Sequence, residues 1–361
     1  MGDPAAEFLV SVAYRKGQGV PADQVLSASW ARKAAEQGLP VAQYDLGLCY
    51  IFGKGVTKDD KQAAFWLSKA AEQGHGEAMQ SLAQLFAEGR GVERDLKQAF
   101  RLYSQAAALG VPYAQYKSGV DFEQGIGVAK DVKMAAVWYG KAAEQGVAEA
   151  QYALAVDFEY GIGVAQDYVQ AATWYRKSAE QGYSPAEFSL GLCYAHGKGV
   201  PQDYSEAESW YRKAAEQKNS SALVNLALLY HEGKGVKKDE DRAYAYIVEA
   251  AEAGAPDAQY QLGMDYTAGN HGLKKDKKMA AEWYRKSAEQ GNVGSQFNLA
   301  MLCSDQPAEL YFWLSLAVPH LNGAALAKTV EIQKAALPLL KPGELAEIQK
   351  RVQQWQAAHQ Q

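Results

Sequence analysis

The chain has 361 residues, and its 42 acidic residues outnumber its 37 basic residues, which gives a formal net charge of -5. This mildly acidic balance argues against a nucleic-acid-binding surface that covers the whole molecule. No apolar run approaches the roughly 18 to 20 residues of a membrane-spanning helix, so we expect a soluble protein.

The first residues of the chain bear on its location. They read MGDPAAEF and lead directly into a repeat, with neither the basic region nor the apolar region of a secretory signal. Two alternatives follow from this pattern: a cytoplasmic protein, or a periplasmic protein whose leader has been removed.

A glycine recurs along most of the chain at a spacing of 36 residues: Gly17, Gly53, Gly89, Gly125, Gly161, Gly197, Gly233 and Gly269. A fixed period between about 20 and 50 residues is the signature of a solenoid. A solenoid grows by adding repeats, so the length of this chain does not require two or three separate globular domains.

The second repeat shows the elements that the others reuse. Apolar residues at helical spacing, among them Ala42, Leu46 and Tyr50, predict a first helix, which we call helix A. The Gly-x-Gly that starts at Gly53 supplies the backbone freedom for a tight turn. We expect the small residue at the position of Gly47 to let the second helix, helix B, pack closely against helix A.

An aspartate stands directly before each helix B, and in most repeats a tryptophan follows inside the helix, with Leu102 and Tyr246 as the exceptions. The aspartates are Asp23, Asp59, Asp95, Asp131, Asp167, Asp203, Asp239 and Asp276. Asp is a favoured helix N-cap, because its carboxylate accepts hydrogen bonds from free backbone amides. We therefore assign these carboxylates to capping and not to catalysis. The aromatic position holds Trp30, Trp66, Trp138, Trp174, Trp210 and Trp283, which we interpret as core residues.

These elements also resemble a known family. Residues 42–74, AQYDLGLCYIFGKGVTKDDKQAAFWLSKAAEQG, are similar to the Sel-like repeat (SLR) family, a relative of the tetratricopeptide repeats, and the similarity extends over about residues 5–317. The resemblance implies an all-α, right-handed α/α superhelical solenoid of 36-residue helix-turn-helix repeats. It also implies a concave surface, lined mainly by helices A, that binds other proteins. It implies neither catalytic activity nor a cofactor.

The chain departs from the repeat in its later part. Lys218 replaces the glycine that closes the sixth repeat, and an extra residue separates Gly269 from Gly272. The ninth repeat is shortened at residues 304–307. We expect a solenoid of about eight full repeats and one shortened repeat over residues 1–318. Residues 319–361 are predicted to form capping helices, with a docking helix for a partner as the alternative.

The sequence contains no pattern typical of an active site. The Gly-x-Gly turns follow helices and lack the Gly-Lys-Ser/Thr sequence of a phosphate loop. No two histidines have metal-ligand spacing on one helix. The odd number of cysteines, Cys49, Cys193 and Cys303, favours buried thiols over disulfides. A hydrolase would need a nucleophile or metal set that is missing, so we predict that the protein is not an enzyme and binds no metal.

Partner binding is best sought where the repeats differ. The predicted partner-binding residues on helices A are Tyr44, Ile51, Phe52, Tyr116, Asp121, Glu123, Tyr152, Asp157, Glu159, Tyr160, His196 and His231. The four carboxylates form a predicted acidic patch that would meet Lys or Arg of a partner, with aromatic rings as anchors. The alternative is a solvated acidic stripe. His196 and His231 lie at the ends of neighbouring helices A, and exposed histidines without a metal or pH-sensing role are the simpler interpretation.

The sequence therefore predicts a non-catalytic scaffold or adaptor that binds a partner protein, one with a basic surface, in the concave groove. The alternative is an immunity or inhibitor protein that wraps and neutralises a secreted toxin or lipase effector. The first inward position of helix A holds an aromatic residue in most repeats, among them Tyr44, Tyr116 and Tyr152, and we call these residues the aromatic row. A glycan-binding role for the aromatic row is a further alternative. No nucleic-acid partner is expected.

Overall fold

The computed structural model describes residues 2–359, and within them it contains α-helices, two short 3-10 helices and no strand. The chain divides into two compact halves, Met1–Ala186 and Glu187–Gln361. The all-α, paired-helix prediction is confirmed. None of the helices described is long and apolar enough to cross a membrane.

The first half holds five repeats, each made of a helix A and a helix B. Its helices are α1 (Pro4–Lys16), α2 (Gln24–Glu36), α3 (Pro40–Phe52), α4 (Asp60–Glu72), α5 (Gly76–Glu88), α6 (Leu96–Ala108), α7 (Pro112–Gln124), α8 (Val132–Glu144), α9 (Ala148–Tyr160) and α10 (Tyr168–Ala179). Within each repeat the two helices pack together, and from α2 to α9 each helix B also packs on the next helix A.

The second half continues this pattern and ends in a different arrangement. Its helices are α11 (Ser184–His196, which begins before the division), α12 (Tyr204–Glu216), α13 (Ser220–Glu232), α14 (Glu240–Glu252), α15 (Pro256–Ala268), α16 (Lys277–Glu289), α17 (Val293–Leu302), α18 (Pro307–Ala317), α19 (Gly323–Ala336) and α20 (Glu344–His359). Both α19 and α20 pack on α18, whose Phe312, Trp313 and Leu314 are buried. The predicted division at residues 318 and 319 stays a prediction.

Helix ends follow the sequence signals closely. All eight predicted aspartates precede a helix B, and their side chains accept hydrogen bonds from backbone amides of its first turn. Gly53 ends α3 in the left-handed conformation, with φ 67°. Gly55 lies so close to the preceding helix B that an added Cβ would overlap the carbonyl oxygen of Gln24. The capping and turn predictions are confirmed.

Close packing within a repeat depends on the small residue of helix A, as predicted, and on an unpredicted tyrosine of helix B. Tyr139 is buried, and a Cβ added at Gly119 would lie 2.5 Å from its ring. This tyrosine follows the tryptophan position by one residue. Trp66 and Trp210 are buried as predicted, whereas the prediction is wrong for the half-exposed Trp30, Trp138, Trp174 and Trp283. A lysine three residues later covers each of these four rings, as Lys141 does over Trp138 at 4.1 Å and Lys177 over Trp174 at 3.7 Å.

Glutamine side chains connect neighbouring repeats. Gln43, near the start of α3, donates to the carbonyl oxygen of Ala35 in the preceding helix B at 3.2 Å and accepts from Gln73 at 2.8 Å. The same pair of bonds recurs in the fourth, fifth and eighth repeats, through Gln115 and Gln145, Gln151 and Gln181, and Gln259 and Gln290. These bonds satisfy a carbonyl at the end of one helix B and link it to the next repeat.

Candidate partner-binding surface

The predicted site residues of the first half lie on helices A, at different depths. Tyr44, Ile51, Tyr116, Glu123, Tyr152 and Glu159 are half-buried, whereas Phe52 and Tyr160 are 64% and 66% exposed. Phe52 and Tyr160 each stand at the last position of their helix. The structure therefore provides two exposed aromatic rings at the turn side of helices A.

The aromatic row is packed as well as partly exposed. The ring of Tyr44 stacks on that of His75, with 4.7 Å between centroids. Tyr116 and Tyr152 contact the buried tyrosine of their own repeat, Tyr139 at 6.0 Å and Tyr175 at 5.7 Å. These rings therefore lie over the A–B interface, and only part of each ring is available to a partner.

Two of the predicted carboxylates are held in place by buried tyrosines. The hydroxyl of Tyr139 donates to Glu123 Oε2 at 2.6 Å, and the hydroxyl of Tyr175 donates to Glu159 Oε2 at 2.7 Å. Burial raises the pKa of Tyr139, and its bond to Glu123 raises it further, so this hydroxyl keeps its proton. Sequence reasoning missed these bonds, although the fourth and fifth repeats share a Glu on helix A and a Tyr 16 residues later.

The other two carboxylates are buried and do not belong to the surface. Asp121 is 4% exposed and Asp157 is 3% exposed. Burial raises the pKa of Asp121 to about 6, with Lys117 acting in the opposite direction. Burial and then the charge of Glu123 raise the pKa of Asp157 to about 7. The surface part of the predicted acidic patch therefore consists of Glu123 and Glu159.

Asp121 faces a pocket of about 370 Å³ between the third and fourth repeats, which we call the Asp121 pocket. Its walls come from α5, α6 and α7 and include Leu96, Ala99, Tyr103, Tyr113, Lys117 and Asp121. Tyr103 is buried, whereas Tyr113 is 44% exposed. The pocket combines aromatic rings with one buried carboxylate.

The two predicted histidines lie in the second half, and both are exposed. His231 Nδ1 lies 2.8 Å from Glu240 Oε2 on α14. Within residues 2–359, no group of three or more His, Cys, Asp and Glu side chains is placed to hold a metal ion.

A second pocket, of about 410 Å³, lies between the seventh and eighth repeats and is lined by His231, Glu240, Tyr244, Gln261 and His271 among other residues. The turn that carries the extra residue contributes His271 to this pocket. His271 in the longer turn stacks on Tyr244, with 4.0 Å between ring centroids. The sequence marked the insertion but did not reveal the pocket.

Comparison with protein families gives one match over most of the chain. The model of the Sel1 repeat matches eight times, at residues 4–39, 40–75, 76–111, 112–147, 148–183, 184–219, 220–254 and 256–292. The comparison with curated proteins finds no match.

Solved structures give further similarities. The c5321 protective antigen of uropathogenic Escherichia coli strains, which displays an SLR fold, is 32% identical with a TM-score of 0.67, over 98% of this chain and 84% of that chain. A Sel1 repeat protein from Oxalobacter formigenes is 33% identical with a TM-score of 0.64, over 82% and 85% of the two chains. The immunity protein Pa5087 from Pseudomonas aeruginosa is 26% identical over 61% and 82%, but its TM-score of 0.36 carries no functional inference.

Proposed function

Because the chain belongs to the Sel1 repeat family, we propose that it is a non-catalytic scaffold that binds a partner protein on its helices A. Repeats of this kind form a scaffold suited to protein–protein interaction, since the shared residues maintain the packing and the varied ones remain available for recognition.

One observation carries the proposal. Glu123 and Glu159, which only the fourth and fifth repeats carry at this position, lie on the surface of helices A, and each accepts a hydrogen bond from a buried tyrosine of its own helix B. A carboxylate that is already positioned loses less conformational entropy when it pairs with Lys or Arg of a partner. Tyr160, which follows Glu159, supplies an exposed aromatic ring of the kind that anchors interfaces. We therefore propose a partner with a basic surface.

The test is affinity capture with crosslinking from the native host, using the wild-type chain and two double variants. Glu123→Lys with Glu159→Lys reverses the charge of the proposed surface. Glu144→Lys with Glu180→Lys is the matched control, because these exposed carboxylates lie at the ends of helices B in the same repeats. We expect the first pair to weaken binding of the captured partner at least about tenfold, or about 1.4 kcal/mol. Equal binding by both pairs would remove this surface from the proposal.

The same experiment addresses the inhibitor alternative. A neutralising protein forms a tight one-to-one complex that abolishes the activity of a captured toxin or lipase, whereas an adaptor leaves the activity of its partner intact. The purified complex should therefore be tested for stoichiometry and for the partner's enzymatic activity.

A further inference from the structure

The carboxylate of Asp121 is buried beside the Asp121 pocket without a hydrogen bond or a close ion pair. The residue is 4% exposed, and within residues 2–359 the structure shows neither a hydrogen bond to its side chain nor an ion pair within 4.0 Å, while its oxygens still open onto the pocket. A buried carboxylate without such partners is costly, and the raised pKa of Asp121 reflects that cost. The group is therefore available to a cation that enters the pocket.

The equivalent aspartate of the eighth repeat shows what the fold does where partners exist. Asp265 stands at the same repeat position and is fully buried. Its Oδ1 accepts a hydrogen bond from Gln261 at 3.2 Å and lies 3.4 Å from His271 Nδ1, while its buried Oδ2 has no partner among the described residues. Lys117 stands where the eighth repeat has Gln261. The fourth repeat thus keeps the acid and lacks these local partners.

Of the two carboxylates that line the pocket, Asp121 is the one that is not already bonded to a neighbouring side chain. Glu88, which also lines the pocket, already accepts from Gln84 at 2.8 Å and pairs with Arg90 at 3.1 Å. Lys117 Nζ lies 6.0 Å from the centre of the Tyr103 ring, at the wall of the pocket, and does not pair with Asp121.

We propose that the Asp121 pocket binds the guanidinium group of an arginine side chain of the partner protein. This inference rests on the proposed scaffold function and names the chemistry that one of its pockets recognises. A guanidinium group donates two parallel hydrogen bonds to a carboxylate and stacks on aromatic rings. Asp121 supplies the carboxylate, and the rings of Tyr103 and Tyr113 supply the walls. The volume lies within the range of about 300–1,000 Å³ that is common for ligand sites.

The test uses a small probe and needs no partner. N-acetyl-arginine amide carries the guanidinium group and no other charge, and N-acetyl-citrulline amide is its neutral counterpart. Binding to the full chain is followed by NMR through the methyl group of Ala99, which lines the pocket. We expect saturable binding of the arginine probe and none of the citrulline compound.

Variants then locate the site. Asp121→Asn is expected to weaken binding of the arginine probe at least about tenfold. The control Glu93→Gln removes an exposed carboxylate of the nearby turn and is expected to change the affinity for the probe less than about twofold. Tyr113→Ala removes an exposed wall ring and is expected to weaken binding several-fold, which keeps the test valid if Asp121→Asn does not fold.

Three results overturn the inference. The first is equal affinity of the wild type and a folded Asp121→Asn variant, and the second is equal affinity for the arginine and citrulline compounds. The third is binding that is seen only after Lys117→Gln, which means that Lys117 occupies the pocket itself. Because the probe is measured without a partner, failure here is distinct from failure of the capture experiment with Glu123 and Glu159.

Discussion

Replacement of the buried Asp157 by asparagine is expected to stabilise the protein in a pH-dependent way. Burial, and secondly the charge of Glu123, raise the pKa of Asp157 from an ordinary value of 3.8 to about 7. The unfolded chain therefore ionises near pH 4, while the folded protein keeps the proton until about pH 7. The free energy of unfolding is therefore not reduced by Asp157 below about pH 4, and it falls as the pH rises from about 4 to about 7. Asparagine does not ionise and avoids the loss.

The magnitude follows from the width of the window. About 1.4 kcal/mol is lost for each pH unit between the two pKa values, which sets an upper limit of about 4 kcal/mol. Relaxation of the protein and entry of water around the ionised group reduce this figure, so we expect Asp157→Asn to gain about 2 kcal/mol over the wild type near pH 8 and almost nothing near pH 4.

Urea unfolding of both proteins near pH 4 and pH 8 measures this difference. Tryptophan fluorescence and circular dichroism are needed together, because repeat proteins do not always unfold in one step. Glu93→Gln, which removes an exposed carboxylate, serves as the charge control. An equal gain for Asp157→Asn at both pH values would refute the reasoning, since the effect would then come from the amide and not from the lost ionisation.

Two backbone positions lead to further predictions. Lys218 has φ 60°, a left-handed conformation that glycine adopts without strain. Lys218→Gly is therefore expected to raise the free energy of unfolding by about 0.5–1 kcal/mol. A free energy of unfolding below that of the wild type would contradict this. Gly119→Ala is expected to destabilise by about 1–3 kcal/mol, because the added methyl meets the ring of Tyr139. Gly140→Ala is its matched control in α8, where a Cβ meets nothing within 4 Å, and it is expected to stabilise by about 0.5–1 kcal/mol. Urea unfolding measures all three, and the same sign for Gly119→Ala and Gly140→Ala would contradict the packing argument.

The repeat boundaries and helix caps could be predicted from the sequence because each has a local cause. A glycine at positive φ and an aspartate before a helix act within a few residues of the chain, so the 36-residue period carries them directly. The paired-helix fold follows from the same period, whereas the family was identified through the resemblance of residues 42–74 and the matches of the family model.

The depth of the acidic residues was harder to predict. Two positions along a helix correspond to a rotation of about 200°, so Asp121 and Glu123 point in nearly opposite directions. The acidic character of both residues suggested one exposed patch. The signal against it was in the repeat alignment, because the position of Asp121 holds Cys49 and Leu85 in the second and third repeats, and Leu85 is buried.

The pockets and the tyrosine–glutamate bonds could not be predicted, because they depend on how neighbouring helices approach. The Asp121 pocket needs the separation of α5, α6 and α7, and the pocket at His271 needs the path of a turn that is one residue longer. Local sequence determines neither distance.

The glutamine bonds between repeats have a consequence for how this chain changes in length. Gln115 and Gln151 make the same two bonds in successive repeats, so removal or duplication of a whole repeat replaces each amide contact with an identical one. A change by part of a repeat leaves a buried amide without its acceptor. Copy number is therefore a variable that evolution or an engineer can alter in steps of 36 residues. The fourth and fifth repeats, with VDFEQGIGVAKD beside VDFEYGIGVAQD, are nearly interchangeable modules of this kind.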